Sequence, residues 1–100
     1  MTISIKLHKS YRTVLAACDL ELIGKKFEEG KIQLDVRENF FKGAEFNENG
    51  AVLLMQEQNK EDATFNIVGK ETINAALKAN IIAKESIIYV QKIPFALKLL

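Results

Sequence analysis

The sequence predicts an α/β (α+β) fold: one layered domain over residues 1–100, with a mixed sheet of about five or six strands, three helices and an N-terminal β-hairpin. Three observations carry this expectation. An alternating run and a second strand-like run open the chain, helical and strand periodicities interleave along the rest, and the composition is 48% apolar and 27% charged in 100 residues. A chain of this length buries roughly two-thirds of its unfolded surface, enough for a core without staples.

Ile3, Ile5 and Leu7 alternate with Thr2, Ser4 and Lys6, the period of a half-buried strand. His8 to Arg12 interrupt the run, and Thr13 to Cys18 read as its antiparallel partner. Asp19 follows as a candidate helix N-cap, with Leu20, Ile23 and Phe27 at helical spacing and Gly30 as the stop. A helix over 20–29 results, although Glu28 and Glu29 then sit at its negative end. Ile32, Leu34 and Val36 form a one-faced strand. Phe40, Phe41 and Phe46 surround Gly43 in a loop, closing one end of the core or offering a surface to a ligand or partner. Asn47 or Asn49 caps a helix to about Asn59, and Thr64–Val68 is a short buried strand. A helix runs from Gly69 to Asn80, which ends it in the left-handed conformation. Ile87–Ile93 is a strand broken by Pro94, and the last residues, FALKLL, form a terminal strand or tail.

Charge and cysteine content bound the function. Fourteen basic and 13 acidic residues leave a net charge of +1, so nucleic-acid contact requires a local patch. Cys18 is the single cysteine; it allows no internal disulfide and no zinc site, and points to a reducing, cytoplasmic setting. No apolar run approaches the ~18 residues of a transmembrane helix, and the first residues do not resemble a signal peptide. No membrane partner, cofactor or metal is expected.

Candidate chemistry is sparse. Cys18 at a strand-to-helix junction has the placement of a reactive thiol, but Asp19 beside it opposes a thiolate. The antiparallel hairpin would put His8, the single histidine, about 16 Å away, which rules out a dyad. Gly69 between strand and helix lacks the other glycines of a phosphate loop. No serine, threonine or carboxylate group has the spacing of a catalytic set, so no catalytic residue is assigned. Lys6, His8, Lys9 and Arg12 cluster at the first turn with Tyr11 among them, a pattern suited to RNA phosphates and a stacked base. Lys25, Lys26 and Lys31 extend that candidate surface.

Three segments carry a resemblance. Cys18 to Gly30 (CDLELIGKKFEEG), Glu38 to Gly43 (ENFFKG) and Asn66 to Glu71 (NIVGKE) look like the signature of the archaeal domain of unknown function 424 family. The resemblance covers nearly the whole chain. It implies an archaeal, cytoplasmic protein without an assigned activity, and a candidate patch of Cys18, Asp19, Glu21, Gly24, Lys25, Asn66 and Gly69. Members carry a Pro-His-Ala-Gln-like segment after the last strand; this chain has Pro94-Phe95-Ala96-Leu97 there, without the histidine. If the strands ending at Cys18 and Val68 ran parallel and adjacent, Asp19, Asn66 and Gly69 would converge at the edge where α/β sheets bind ligands.

The sequence therefore favours a non-catalytic binding module that contacts RNA or a ribonucleoprotein through a local basic patch. A small-molecule or thiol-dependent enzyme centred on Cys18, Asp19 and Asn66 is the first alternative. A protein–protein adaptor or homo-oligomer using the Phe40–Phe46 loop or an open sheet edge is the second.

Overall fold

A computed structural model describes residues 2–99. Ile3–His8 (β1) and Val14–Asp19 (β2) form the expected antiparallel hairpin, with Ile3 opposite Asp19 and His8 opposite Val14. Glu48–Lys60 (α2) is capped by Asn47, whose side chain accepts from the Gly50 N–H at 2.8 Å. Thr64–Val68 (β6) and Lys70–Lys78 (α3) lie where the periodicity places them, and Asn80 has the left-handed φ of 60° that ends the helix. None of these helices is long and apolar enough to cross a membrane.

The segment 20–31 departs from the expected helix. Leu20–Leu22 make one tight helical turn, and the chain then reverses at Gly24, whose φ is +85°. Lys26–Glu29 (β3) and Ile32–Asp35 (β4) pair as an antiparallel hairpin with Gly30 at its tip. Its base is tied by Gly24 N–H to the Val36 carbonyl at 2.7 Å and Val36 N–H to the Lys25 carbonyl at 2.9 Å. The turn buries Leu22 and half-buries Ile23, and the hairpin turns Phe27 to the same side, so the apolar residues bury one by one rather than as a helical stripe. Glu28 and Glu29 are strand residues, which removes the charge conflict at a helix end.

Two further short elements stand in the aromatic loop, Glu38–Phe41 (α1) and the edge strand Ala44–Phe46 (β5). Near the C-terminus the expected single strand divides. Ile88–Val90 (β7) turns through Gln91 and Lys92, both at positive φ, into Ile93–Lys98 (β8). Pro94 lies inside β8 rather than ending a strand. Val90 and Ile93 close a two-residue hairpin and exchange its hydrogen bonds, so the next pair, Tyr89–Pro94, asks no N–H of the proline. The Pro94 carbonyl accepts from Gly69 N–H at 2.8 Å. Of the C-terminal residues, Leu100 lies outside the described residues.

The main sheet is mixed and six-stranded, in the order β5-β1-β2-β6-β8-β7, with β2 and β6 parallel. One face carries Ile3, Ile5, Leu15, Ala17, Phe65 and Ile67 against α2 and α3. The other carries Ala16, Cys18 and Val68, covered by the β3–β4 hairpin and α1 through Leu34, Val36 and Phe41. Polar residues of β1 hold this second layer. Ser4 Oγ donates to the Phe41 carbonyl (3.0 Å), Lys6 Nζ to the Asn39 carbonyl (2.8 Å) and His8 Nε2 to the Phe40 carbonyl (2.8 Å). Alternate residues of one strand thereby satisfy successive free carbonyls of a short helix.

Candidate functional site

Strands β2 and β6 are parallel and adjacent, yet the convergence expected of Asp19 and Asn66 does not occur. Side chains alternate across a sheet, and the register pairs Ala16 with Asn66 and Cys18 with Val68. Asp19 therefore belongs to the α3 face and Asn66 to the opposite one. Cys18 is fully buried between Ser4 and Val68. Burial, reinforced by the charges of Asp19 and Glu21, pushes its thiol up to about 12. It holds no thiolate near neutrality, and the thiol-dependent reading loses its nucleophile.

Asp19 caps a helix, but not the one expected. It is only 5% exposed, and its Oδ1 accepts from Thr72 N–H (2.9 Å) and Thr72 Oγ1 (2.7 Å), with Oδ2 accepting from Glu71 N–H (3.2 Å). These are the N–H groups that an N-cap side chain serves, and the N-cap of α3 is Gly69, which has none. A Cβ on Gly69 would lie 2.6 Å from Asp19 Oδ1, so the missing side chain makes room for the carboxylate. The anion site of this helix is thus filled from within the chain. Of the other residues in the expected patch, Glu21 and Lys25 are exposed and Gly24 serves the turn.

The basic residues do not form one surface. Lys6 and His8 are engaged with the carbonyls of α1, and His8 also stacks on Phe40 with centroids 4.6 Å apart. Lys9, Tyr11 and Arg12 remain on the exposed turn; Tyr11 is 101% exposed, and Arg12 lines a shallow depression with Glu61 and Asp62. Lys25, Lys26 and Lys31 belong to the β3–β4 hairpin, whose tip meets the Gln91 turn at the other end of the sheet. The length of β2, about 16 Å, separates these ends.

A cleft of about 280 Å³ opens where the covering layer stops short of the sheet. It is lined by Leu34, Asp35 and Arg37 at the end of the β3–β4 hairpin, by Phe40 and Phe41 of α1, and by Asn66, Phe95 and Leu97 of the sheet. Among the described residues the side-chain ion pairs are Lys42–Glu38 and Lys78–Glu48, which leave Asp35 and Arg37 unpaired. The Asn66 amide makes no hydrogen bond among the described residues either, although it sits half-buried on a central strand. The buried Ala16 opposite it leaves the amide open.

Of these lining residues, only Asn66 belongs to the patch expected from the sequence. For the rest, the readable signal was the aromatic run that includes Phe40 and Phe41; Phe46, its third member, packs on the α2–α3 face instead. Asp35, Arg37 and Phe95 gave no local signal, because their proximity is created by the β3–β4 hairpin and by the extension of β8 past Pro94. A second groove, about 620 Å³, lies between α3 and β7 among Lys70, Glu71, Asn74, Lys84 and Tyr89. No group of three or more histidine, cysteine or acidic side chains is placed to hold a metal among the described residues.

Comparison with family models matches residues 8–99 to a family described as a protein of unknown function (DUF424). The fold is also similar to that in a crystal structure of an uncharacterized conserved protein from the archaeon Methanopyrus kandleri. The TM-score is 0.87 at 19% identity, over 97% of this chain and 90% of that one. At this identity the likeness concerns the fold alone. No curated protein matches the sequence.

Proposed function

The chain belongs to the DUF424 family of unknown function, and from that premise we propose that it is a non-catalytic binding module which contacts RNA through the cleft between the β3–β4 layer and the sheet. The observation that carries this reading is one concave site lined by Arg37, Asn66, Phe40 and Phe95, in which the Asn66 amide has no hydrogen-bond partner among the described residues. Small-molecule and base sites have this character: apolar and aromatic walls with a few convergent polar groups. At about 280 Å³ the cleft is at the small end of such sites, suited to one ring system rather than a large cofactor.

RNA is favoured over a protein surface because single-stranded RNA offers splayed bases with both a stacking face and a polar edge. The cleft has groups for each. The basic turn is a weaker contact, since Lys6 and His8 are already bonded within the chain. Catalysis has little support, because Cys18 is buried as a neutral thiol and Asp19 is consumed as a cap.

The test is anisotropy of a labelled pool of random ten-nucleotide RNA at low salt. Binding is expected for the single strand and not for a duplex. Arg37→Ala should weaken it by about tenfold, whereas Lys9→Ala with Arg12→Ala should change it less than about twofold. Absence of single-strand binding ends the RNA reading. The opposite ranking of the variants returns the site to the turn.

A further inference from the structure

We propose that the groove between α3 and β7 is a second ligand site, for a small organic carboxylate with an apolar body. The site is separate from the cleft and uses the other face of the sheet. Val90 and Ile93 pack with the β3–β4 layer, so alternation turns their neighbours Tyr89 and Pro94 to the α3 side. The helix packs on β2, β6 and β8 and reaches little of β7. The α3 side of this edge strand is therefore left uncovered, and Tyr89 is 60% exposed there. The resulting groove has a volume of about 620 Å³, within the range of small-molecule sites.

The lining selects an anion with an apolar portion. Ile73, Leu77, Ile87 and Pro94 supply the apolar surface. Lys70 of α3 and Lys84, the first residue of a tight helical turn before β7, supply positive charge. Neither takes part in the ion pairs among the described residues, Lys42–Glu38 and Lys78–Glu48. Glu71 is the single carboxylate of the lining, so two cations against one anion leave one positive charge in excess. A monocarboxylate restores neutrality, whereas a cationic ligand adds to the excess. The backbone at the start of α3 is not what binds, because Asp19 already takes the Glu71 and Thr72 N–H groups. The Asn74 amide and the Tyr89 hydroxyl are further lining groups that can donate to a carboxylate oxygen.

The experiment titrates hexanoate, octanoate and octylammonium into the intact isotope-labelled protein at neutral pH and low salt, and follows the amide resonances. Octanoate is expected to bind at least about fivefold more tightly than hexanoate, because each fully buried methylene contributes about fourfold. It should bind about tenfold more tightly than octylammonium, which has the same chain and the opposite charge. The shifts should centre on α3 and on residues 84–89. Lys70→Gln combined with Lys84→Gln should bring octanoate and octylammonium within about twofold of each other while keeping the dependence on chain length. Glu71→Gln should move affinity the other way, tightening octanoate by about twofold. Both lysines are exposed, and the contrasts are ratios within one variant, so they do not report on stability. Equal binding of octanoate and octylammonium to the unchanged protein overturns the proposal, since the groove is then merely apolar. A preference for octanoate that survives the double substitution, shifts centred on Asn66 and Phe95, or no saturable binding overturns it as well. Each of these results leaves the RNA reading standing, because that cleft lies on the opposite face of the sheet.

Discussion

Alternation along β2 assigns Cys18 and Asp19 to opposite faces, and their chemistry follows from that assignment. With a thiol pKa of about 12, Cys18 is ionised to roughly one part in ten thousand at pH 8. Iodoacetamide should leave the folded protein unmodified at pH 8 and react once urea unfolds it; rapid labelling of the folded state would contradict the burial described here. The same shift links stability to pH. The thiol ionises more readily in the unfolded chain, near 9.0, than in the folded one. Its contribution is therefore fully present below about pH 9 and is lost as pH rises toward 12, by an order of a few kcal/mol. Cys18→Ala should flatten the alkaline limb of a stability–pH curve. Gly69 supplies the second prediction at this scale. Its φ is +106°, and any Cβ collides with the carboxylate that caps α3. Gly69→Ala should cost more than about 3 kcal/mol in urea denaturation, combining backbone strain with a displaced cap. Gly30→Ala, also at positive φ but with open space around its Cβ position, should cost only about 1 kcal/mol.

Among the elements, the segment after Asp19 shows how periodicity misleads. Leu20, Ile23 and Phe27 fit a helical face, but the run is short, and Gly24 and Gly30 both adopt left-handed conformations that break it. Glu28 and Glu29 at a helix C-terminus were the legible warning, and as strand residues they acquire a use. Glu29 Oε1 accepts from Gln91 N–H at 2.6 Å, and the Glu28 carbonyl accepts from Gln91 Nε2 at 3.0 Å. This latch supports the β7–β8 turn, where Gln91 and Lys92 occupy positive φ without glycine. A two-stranded hairpin is marginal alone, and this one is anchored by Leu34 and Val36 and by the latch. Hydrogen exchange should show the β3–β4 amides opening well before those of β2 and β6, and Glu29→Ala should speed them further. Equal protection in both sheets would mean that the hairpin is integral to the core rather than laid upon it.

For the molecule as a whole, charge balance limits how RNA can be held. The net charge is +1; the cations expected to contact RNA divide between the β1–β2 hairpin and the β3–β4 hairpin at opposite ends of the sheet, and the remaining basic residues are scattered over the other elements. Few phosphates can be neutralised at once. Each contributes about 0.7 to the salt slope of single-strand binding, so the slope should have a magnitude below about 2. A slope of 4 or more, measured by anisotropy across salt concentrations, would show that an extended basic surface is engaged and would displace the cleft as the principal contact.

Local chemistry in the sequence determined much of this fold: the first hairpin by an alternating run followed by an apolar one, α2 by a cap at Asn47 or Asn49, β6 by its apolar run, and α3 by Gly69 and Asn80. It also identified Asp19 as a capping residue, though of another helix, while Asn66 drew notice only through the family resemblance. Tertiary structure decided what these groups face. Asp19 caps α3, 53 residues from Thr72 in the chain, because β2 and β6 run parallel and bring the end of one beside the start of the helix after the other. Asn66 lies away from Asp19 because the pleat of two registered strands separates them by face. Pro94 continues a strand because its place in a two-residue hairpin needs no N–H. Each outcome depends on register and pairing between distant segments, which a local pattern of residue types does not encode.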